Sequence, residues 1–157
     1  MGDVSLKLTV LIKDEKLVGD LIRNPSFEYA ENYQECYRKT VSDNSPALVT
    51  FEFEELKHAD LEIEQSLEVK GIPYDKEWDE GLECEAGSSH LRILEDGKPE
   101  LKQYRASTRN MVCFYELVKF LENNSMESYI EQKKAILEPI TWVEQWDILS
   151  SIYDPEA

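Results

Sequence analysis

Apolar residues at Val4, Leu6, Leu8, Val10 and Ile12 alternate with Ser5, Lys7 and Thr9, which predicts an opening strand with one fully apolar face. A short helix follows over 16–23 and is stopped by Asn24-Pro25, because a residue before proline is biased away from helix. From Ser26 to Val41, Phe27, Ala30, Tyr33, Tyr37 and Val41 recur at helical spacing, with Ser26 as cap. The tyrosines and Thr40-Val41 keep a strand open there. A polar turn over 42–46 leads to a second strand, 47–54, in which Val49, Phe51 and Phe53 oppose Thr50, Glu52 and Glu54.

The period then changes. Leu56, Ala59, Ile63 and Leu67 predict a helix ended by Gly71, with a short strand over 72–74 and an irregular acidic stretch over 75–89. Next comes a hairpin, 90–94 and 100–104, turning at Asp96-Gly97, a pair suited to the positive φ angles of a tight turn. The last third reads as helices. One begins at Ser107 or Thr108, carries Phe114, Leu117, Val118 and Leu121, and ends at Asn123-Asn124. Another is capped by Ser125 and stopped by Pro139, and the last starts at a Thr141/Glu144 capping box and carries Trp142, Trp146, Leu149 and Tyr153. The expected fold class is α+β: a mostly antiparallel sheet of four to five strands with helices on one face, and a helical C-terminal third. Neither a repeat nor a low-complexity linker divides the 157 residues, so one domain over 1–157 is expected.

Charge changes this picture most. Thirty-three Asp and Glu against seventeen Lys and Arg give a net −16, while 41% of residues are apolar, so the chain folds rather than staying disordered. Such a chain is repelled by phosphates and anionic lipid and attracted to basic surfaces. Cys36, Cys84 and Cys113 are odd in number and far apart, against a secreted disulfide framework. Cys113, among apolar neighbours, reads as a small core residue. The first fifteen residues have no basic region followed by an apolar signal core, and the apolar runs are too short for a membrane span. The cytoplasm is therefore the expected compartment.

The acidity is concentrated. Residues 52–85 hold thirteen acidic residues and three basic ones, so ten of the sixteen net charges fall in 34 positions. Solubility alone does not require such clustering, and a binding face explains it. The expected partner-binding residues are Asp60, Glu64, Glu68, Asp75, Glu77, Trp78, Asp79, Glu80, Glu83 and Glu85, with Trp78 either the aromatic centre of the interface or an anchor tucked into the core.

Chemistry is harder to find. Asp75, Glu77 and Asp79 alternate as in a calcium loop, but the sixth and twelfth positions are Glu80 and Ala86 where Gly and a bidentate Glu are needed. His58 and His90 have no second ligand at zinc spacing, and Glu83 and Glu85 beside Cys84 work against a thiolate nucleophile. Phosphate-loop, dinucleotide, serine-hydrolase and zinc-protease motifs are absent, so neither metal nor cofactor is expected. Lys102, Arg105 and Arg109 are the nearest approach to a basic patch.

The function expected is a non-enzymatic acidic protein that neutralises a basic, nucleic-acid-binding protein, its carboxylates standing in for phosphates. In composition and size it resembles DNA-mimic anti-restriction and anti-CRISPR inhibitors, and immunity proteins that block basic nucleases; no motif carries that likeness. The alternatives are a small enzyme or ligand-binding domain with a site built from residues distant in sequence, and a scaffold subunit acidic for solubility alone. A pocket of convergent polar groups would favour the enzyme, and a continuous negative face the inhibitor.

Overall fold

A computed structural model describes residues 4–23, 33–40 (as backbone), 46–56, 59–81, 84–107 and 112–153. The strands are β1 (Val4–Leu11), β2 (Tyr33–Thr40), β3 (Ala47–Leu56), β4 (Tyr74–Trp78), β5 (Gly87–Ile93) and β6 (Pro99–Arg105). The helices are α1 (Glu15–Ile22), α2 (Glu64–Val69), α3 (Phe114–Glu122), α4 (Met126–Leu137) and α5 (Trp142–Tyr153), and a 3₁₀ turn, Ile12–Asp14, joins β1 to α1. The strands form one sheet in the order β2-β3-β1-β4-β5-β6, with every neighbouring pair antiparallel. The α+β class is as the pattern predicts, with six strands rather than four to five.

Register explains why the sheet has two unlike faces. Directly paired residues share a face, so Val10 of β1 aligns with Val49 and Tyr74, Leu8 with Phe51 and Lys76, and Leu6 with Phe53 and Trp78. Against this apolar face pack Val18 and Ile22 of α1, Leu67 of α2, and Ala59, Leu61, Ile63 and Ile72 around α2, forming the main core. Burying side chains of this size stabilises the fold by about 1.5–3 kcal/mol each. The opposite face carries Thr9, Thr50, Asp75, His90 and Lys102 in one transverse row and Glu52, Lys7, Glu77, Ser88 and Tyr104 in the next. The helical C-terminal third lies over part of that polar face, through hydrogen bonds that Asp75 accepts and that Arg92 and Lys102 donate. α1 and α2 thus pack on one face, and the helical C-terminal third lies against part of the other.

Several elements differ from the pattern, each for a local reason. Residues 33–40 are a strand: the tyrosines and Thr40 favour a pleated backbone, and β3 supplies its ladder. The predicted helix start at 26–32 and the turn at 41–45 lie outside the described residues. β1 ends at Leu11, which is buried, and Ile12 enters the 3₁₀ turn. α2 is only six residues long, because Leu56 completes β3 and Ala59, Leu61 and Ile63 reach the core from irregular chain. The stretch 75–89 is not irregular throughout, since β4 and the start of β5 occupy both of its ends.

Other signals hold. Gly97 has φ +81°, Asn124 ends α3 with φ 53°, and Gly71 ends α2 with φ 67°. Thr141 Oγ1 accepts the Glu144 N–H at 3.2 Å as the capping box predicts. Ser125 stands at the start of α4, but its hydroxyl donates to the Phe120 carbonyl instead of capping. Cys113 is exposed at the start of α3 rather than in the core, and Trp146 is 41% exposed. Among the described residues no helix is long and apolar enough to cross a membrane.

Gly87 is a spatial requirement. A Cβ there would stand 2.3 Å from Trp78 Cζ2 and 2.8 Å from the Tyr104 carbonyl oxygen, so ring and backbone both block it. Gly87→Ala is expected to cost about 2 kcal/mol, measured by urea unfolding. Wild-type stability in that variant would mean that Trp78 does not pack over Gly87.

Candidate functional site

The acidic stretch is divided by the sheet. Lys76, on the core face of β4, is 1% exposed. A buried ammonium needs partners, and it has them: Glu64 Oε1 at 2.8 Å and the Ala59 carbonyl at 2.8 Å, with Asp60 Oδ1 at 3.8 Å and the Trp78 ring at 4.9 Å. Glu64 also accepts from the Leu61 N–H and the Tyr74 hydroxyl. Burial, and then the Glu64 charge, push the Tyr74 phenol well above its ordinary range. Glu64 is thus an internal counter-ion rather than a partner-facing carboxylate.

Trp78 is corrected in the same way. It is 8% exposed, belongs to the main core, and donates its indole N–H to the Glu85 carbonyl at 2.7 Å. It anchors the chain from inside, so the centre of an interface lies elsewhere. Glu85 Oε1 accepts the Ser107 N–H at 2.7 Å, a bond that lowers its pKa. Asp60, Glu62 and Glu68 are exposed on the α2 side of the sheet, whereas Glu77 projects from the opposite face. Asp79 and Glu80 are exposed just beyond β4, and Asp79 caps the sheet end by accepting the Ser5 N–H at 2.8 Å. Glu83 and His58 lie outside the described residues. The ten expected residues therefore do not form one face.

What the fold does bring together is an open hollow of about 380 Å³ at the end of the polar face, lined by Ser5, Lys7, Glu52, Glu54, Glu77 and Asp79 among others. Lys7 stands between Glu52 and Glu77 in the cross-strand row and approaches Glu52 to 3.6 Å. A second hollow of about 330 Å³ adjoins it, sharing Glu77 and Trp78 and reaching Ser88 and Tyr104. Among the described residues, four carboxylates and one ammonium line the larger hollow.

Beside it lies an arrangement that the sequence reading missed. Asp75 Oδ1 receives His90 Nδ1 at 2.6 Å and Arg92 Nη2 at 2.8 Å, and Oδ2 accepts from Trp142 Nε1 at 2.8 Å. A carboxylate only accepts, so neutral His90 carries its proton on Nδ1, and Nε2 accepts from the Tyr104 hydroxyl at 3.1 Å. Burial pushes the Asp75 carboxyl up, but the His90 hydrogen bond and the Arg92 charge outweigh it and hold the pKa below the ordinary range. Arg92 stacks 4.1 Å from the Trp142 ring centroid and donates to the Ile140, Tyr74 and Leu91 carbonyls. The signal was in the sequence: Ser88, His90 and Arg92 alternate on β5, as polar residues of one strand face do.

Cys84 donates weakly to the Glu85 carbonyl and His90 is held by Asp75 and Tyr104, so the two form no thiol–imidazole pair. Lys102 binds the Ala135 and Glu138 carbonyls, which leaves the suspected basic patch without it, and Arg109 lies outside the described residues. Among the described residues no group of three or more His, Cys, Asp or Glu is placed to hold a metal. No protein-family model, curated protein or solved structure matches the chain.

The Lys76–Glu64 pair generates a stability test. Glu64→Gln strands a buried ammonium and is expected to cost about 3 kcal/mol in urea unfolding, while Glu64→Leu combined with Lys76→Met recovers most of the loss. A Glu64→Gln protein as stable as wild type would mean that Lys76 is solvated rather than enclosed.

Proposed function

We propose that the protein is an acidic binding protein that occupies the Lys- and Arg-bearing surface of a basic, nucleic-acid-binding protein. The carrying observation is the negative hollow at the end of the polar face, where Glu52, Glu54, Glu77 and Asp79 converge around Lys7. Sheet strands hold Glu52, Glu54 and Glu77. Carboxylates on rigid strands present fixed negative charge at spacings a flexible tail cannot hold, as mimicry of a phosphate row requires. Glu80 extends the same charge beyond β4. The anchoring surface is narrower than the whole stretch 60–85, since Glu64, Asp75 and Trp78 serve the interior.

A second reading rests on the Asp75–His90–Tyr104 chain, because Tyr104 also lines the smaller hollow and could exchange a proton there. Arg92 and Trp142 saturate Asp75, and His90 and Tyr104 are both nearly enclosed, which favours a structural role for the chain.

Reversing Glu54, Glu77, Asp79 and Glu80 to Lys tests the first reading, with an arginine-rich peptide as probe and salt-gradient elution of source-cell proteins beside it. Association is expected to slow by about tenfold or more and to lose most of its salt dependence, with the sheet retained although the Asp79 bond to the Ser5 N–H is lost. The same reversal at Glu122, Glu127, Glu131 and Glu144, exposed on the C-terminal helices, is expected to matter far less. Equal loss from both sets would assign the effect to net charge. No loss from either would overturn the proposal.

A further inference from the structure

α5 adds little to the main core. None of the core residues on the α1/α2 side of the sheet comes from 112–153. Only Gln145 and Leu149 of α5 are buried among its described residues, Leu149 in a small cluster with Leu11, Leu48 and Ile93, against which Trp142 packs. What holds α5 and the chain before it is polar. Gln145 closes both backbone groups of Ile93, accepting its N–H at 2.7 Å and donating to its carbonyl at 3.0 Å. Arg92 holds the Ile140 carbonyl at 2.9 Å, and Asp75 holds the Trp142 indole.

Two of these contacts depend on one charge. His90 and Arg92 both bond Asp75 Oδ1, at 2.6 and 2.8 Å, so one carboxylate oxygen holds both donors while its partner oxygen holds Trp142. We propose that Asp75 is an acid-sensitive clasp: its protonation removes the anion that holds His90, Arg92 and Trp142 together and releases residues 140–153 from the sheet while the core on the other face stays folded.

The surroundings set the direction and the window. On its own strand Asp75 neighbours Glu77 on the same face; from β1 it meets Thr9, from β5 His90 and Arg92, and from α5 Trp142. Tyr104 and Lys102 of β6 stand behind His90, and Glu100 lies 3.8 Å from Lys102. Because the Asp75 pKa is lowered in the docked state, the clasp is at full strength above the ordinary Asp value of about 4 and weakens as pH falls below it. Lys102 ties the end of α4 through the Ala135 and Glu138 carbonyls, bonds that do not involve Asp75, so α4 stays tethered when α5 leaves. The proposal is independent of any basic partner.

Hydrogen exchange of the full chain from pH 6 to about pH 2.5, corrected for intrinsic rates, tests it. Amides of 141–149 are expected to lose protection at least tenfold at a pH where those of Phe51 and Phe53 retain theirs. Trp142→Phe, which removes one donor to the carboxylate, is expected to move that release upward by about one pH unit. Asp75→Asn is expected to leave 141–149 unprotected at neutral pH with no further acid response. A single transition in which sheet and α5 amides lose protection together would overturn the clasp, as would an unchanged release pH in Trp142→Phe. Both are read without the Asn variant, so the test stands if that variant fails to fold.

Discussion

This sheet places polar side chains beneath the C-terminal helices on one of its faces, and the Asp75 carboxylate is how the chain satisfies them. Thr9, Thr50, Asp75, His90 and Lys102 form one row across four junctions of the sheet, and each has to find a partner once helices cover it. Thr9 and Thr50 bond each other at 2.9 Å, and Lys102 takes the carbonyls at the end of α4. Asp75 takes three donors at once. The same bonds fix the His90 tautomer, aim Arg92 at Ile140 and seat Trp142, so the approach of the last helix follows from one side chain on β4.

Most of the architecture was legible because it follows from period. The alternation of β1 and β3, the Asp96-Gly97 turn and the helical spacing of the C-terminal third are local patterns that form where they lie, except that Val112 and Cys113 interrupt the helix expected from Ser107 or Thr108, so that α3 starts at Phe114. The misses come from what period cannot encode. At 33–40 helical spacing competed with β propensity, and the ladder offered by β3 decides for the strand. At β4 the sequence YDKEW reads as charged loop, since Lys76 stands where an apolar residue is expected. Its identity makes sense only once Glu64 and the Ala59 carbonyl, distant in sequence, are seen to meet it.

The candidate site was legible as a region and not as a list. That residues 52–85 carry the charge is a compositional fact, but which carboxylates face solvent depends on strand parity. Along β4 the side chains alternate between the core and the polar face, so Asp75 and Glu77 go one way while Lys76 and Trp78 go the other. An aromatic residue among carboxylates suggested an interface at Trp78. Parity places it inside, over a glycine that leaves room for its ring.

The internal pairs also bear on the surface charge. Glu64 is matched by Lys76 and Asp75 by Arg92, so these pairs contribute no net charge and the net −16 arises from other residues. That excess has a consequence at the C-terminal helices, where apolar side chains are unusually open: Phe114 is 69% exposed and Tyr115 84%. Exposed aromatic groups on a helix favour association, while a strongly negative surface opposes the approach of like molecules over about a Debye length, near 8 Å at physiological salt. The two effects act on the same encounter with opposite sign. A neutral partner gains only the apolar contact and another copy of this chain meets repulsion, whereas a basic partner gains contact and attraction together. The acidity thereby bears on what the open apolar groups can meet.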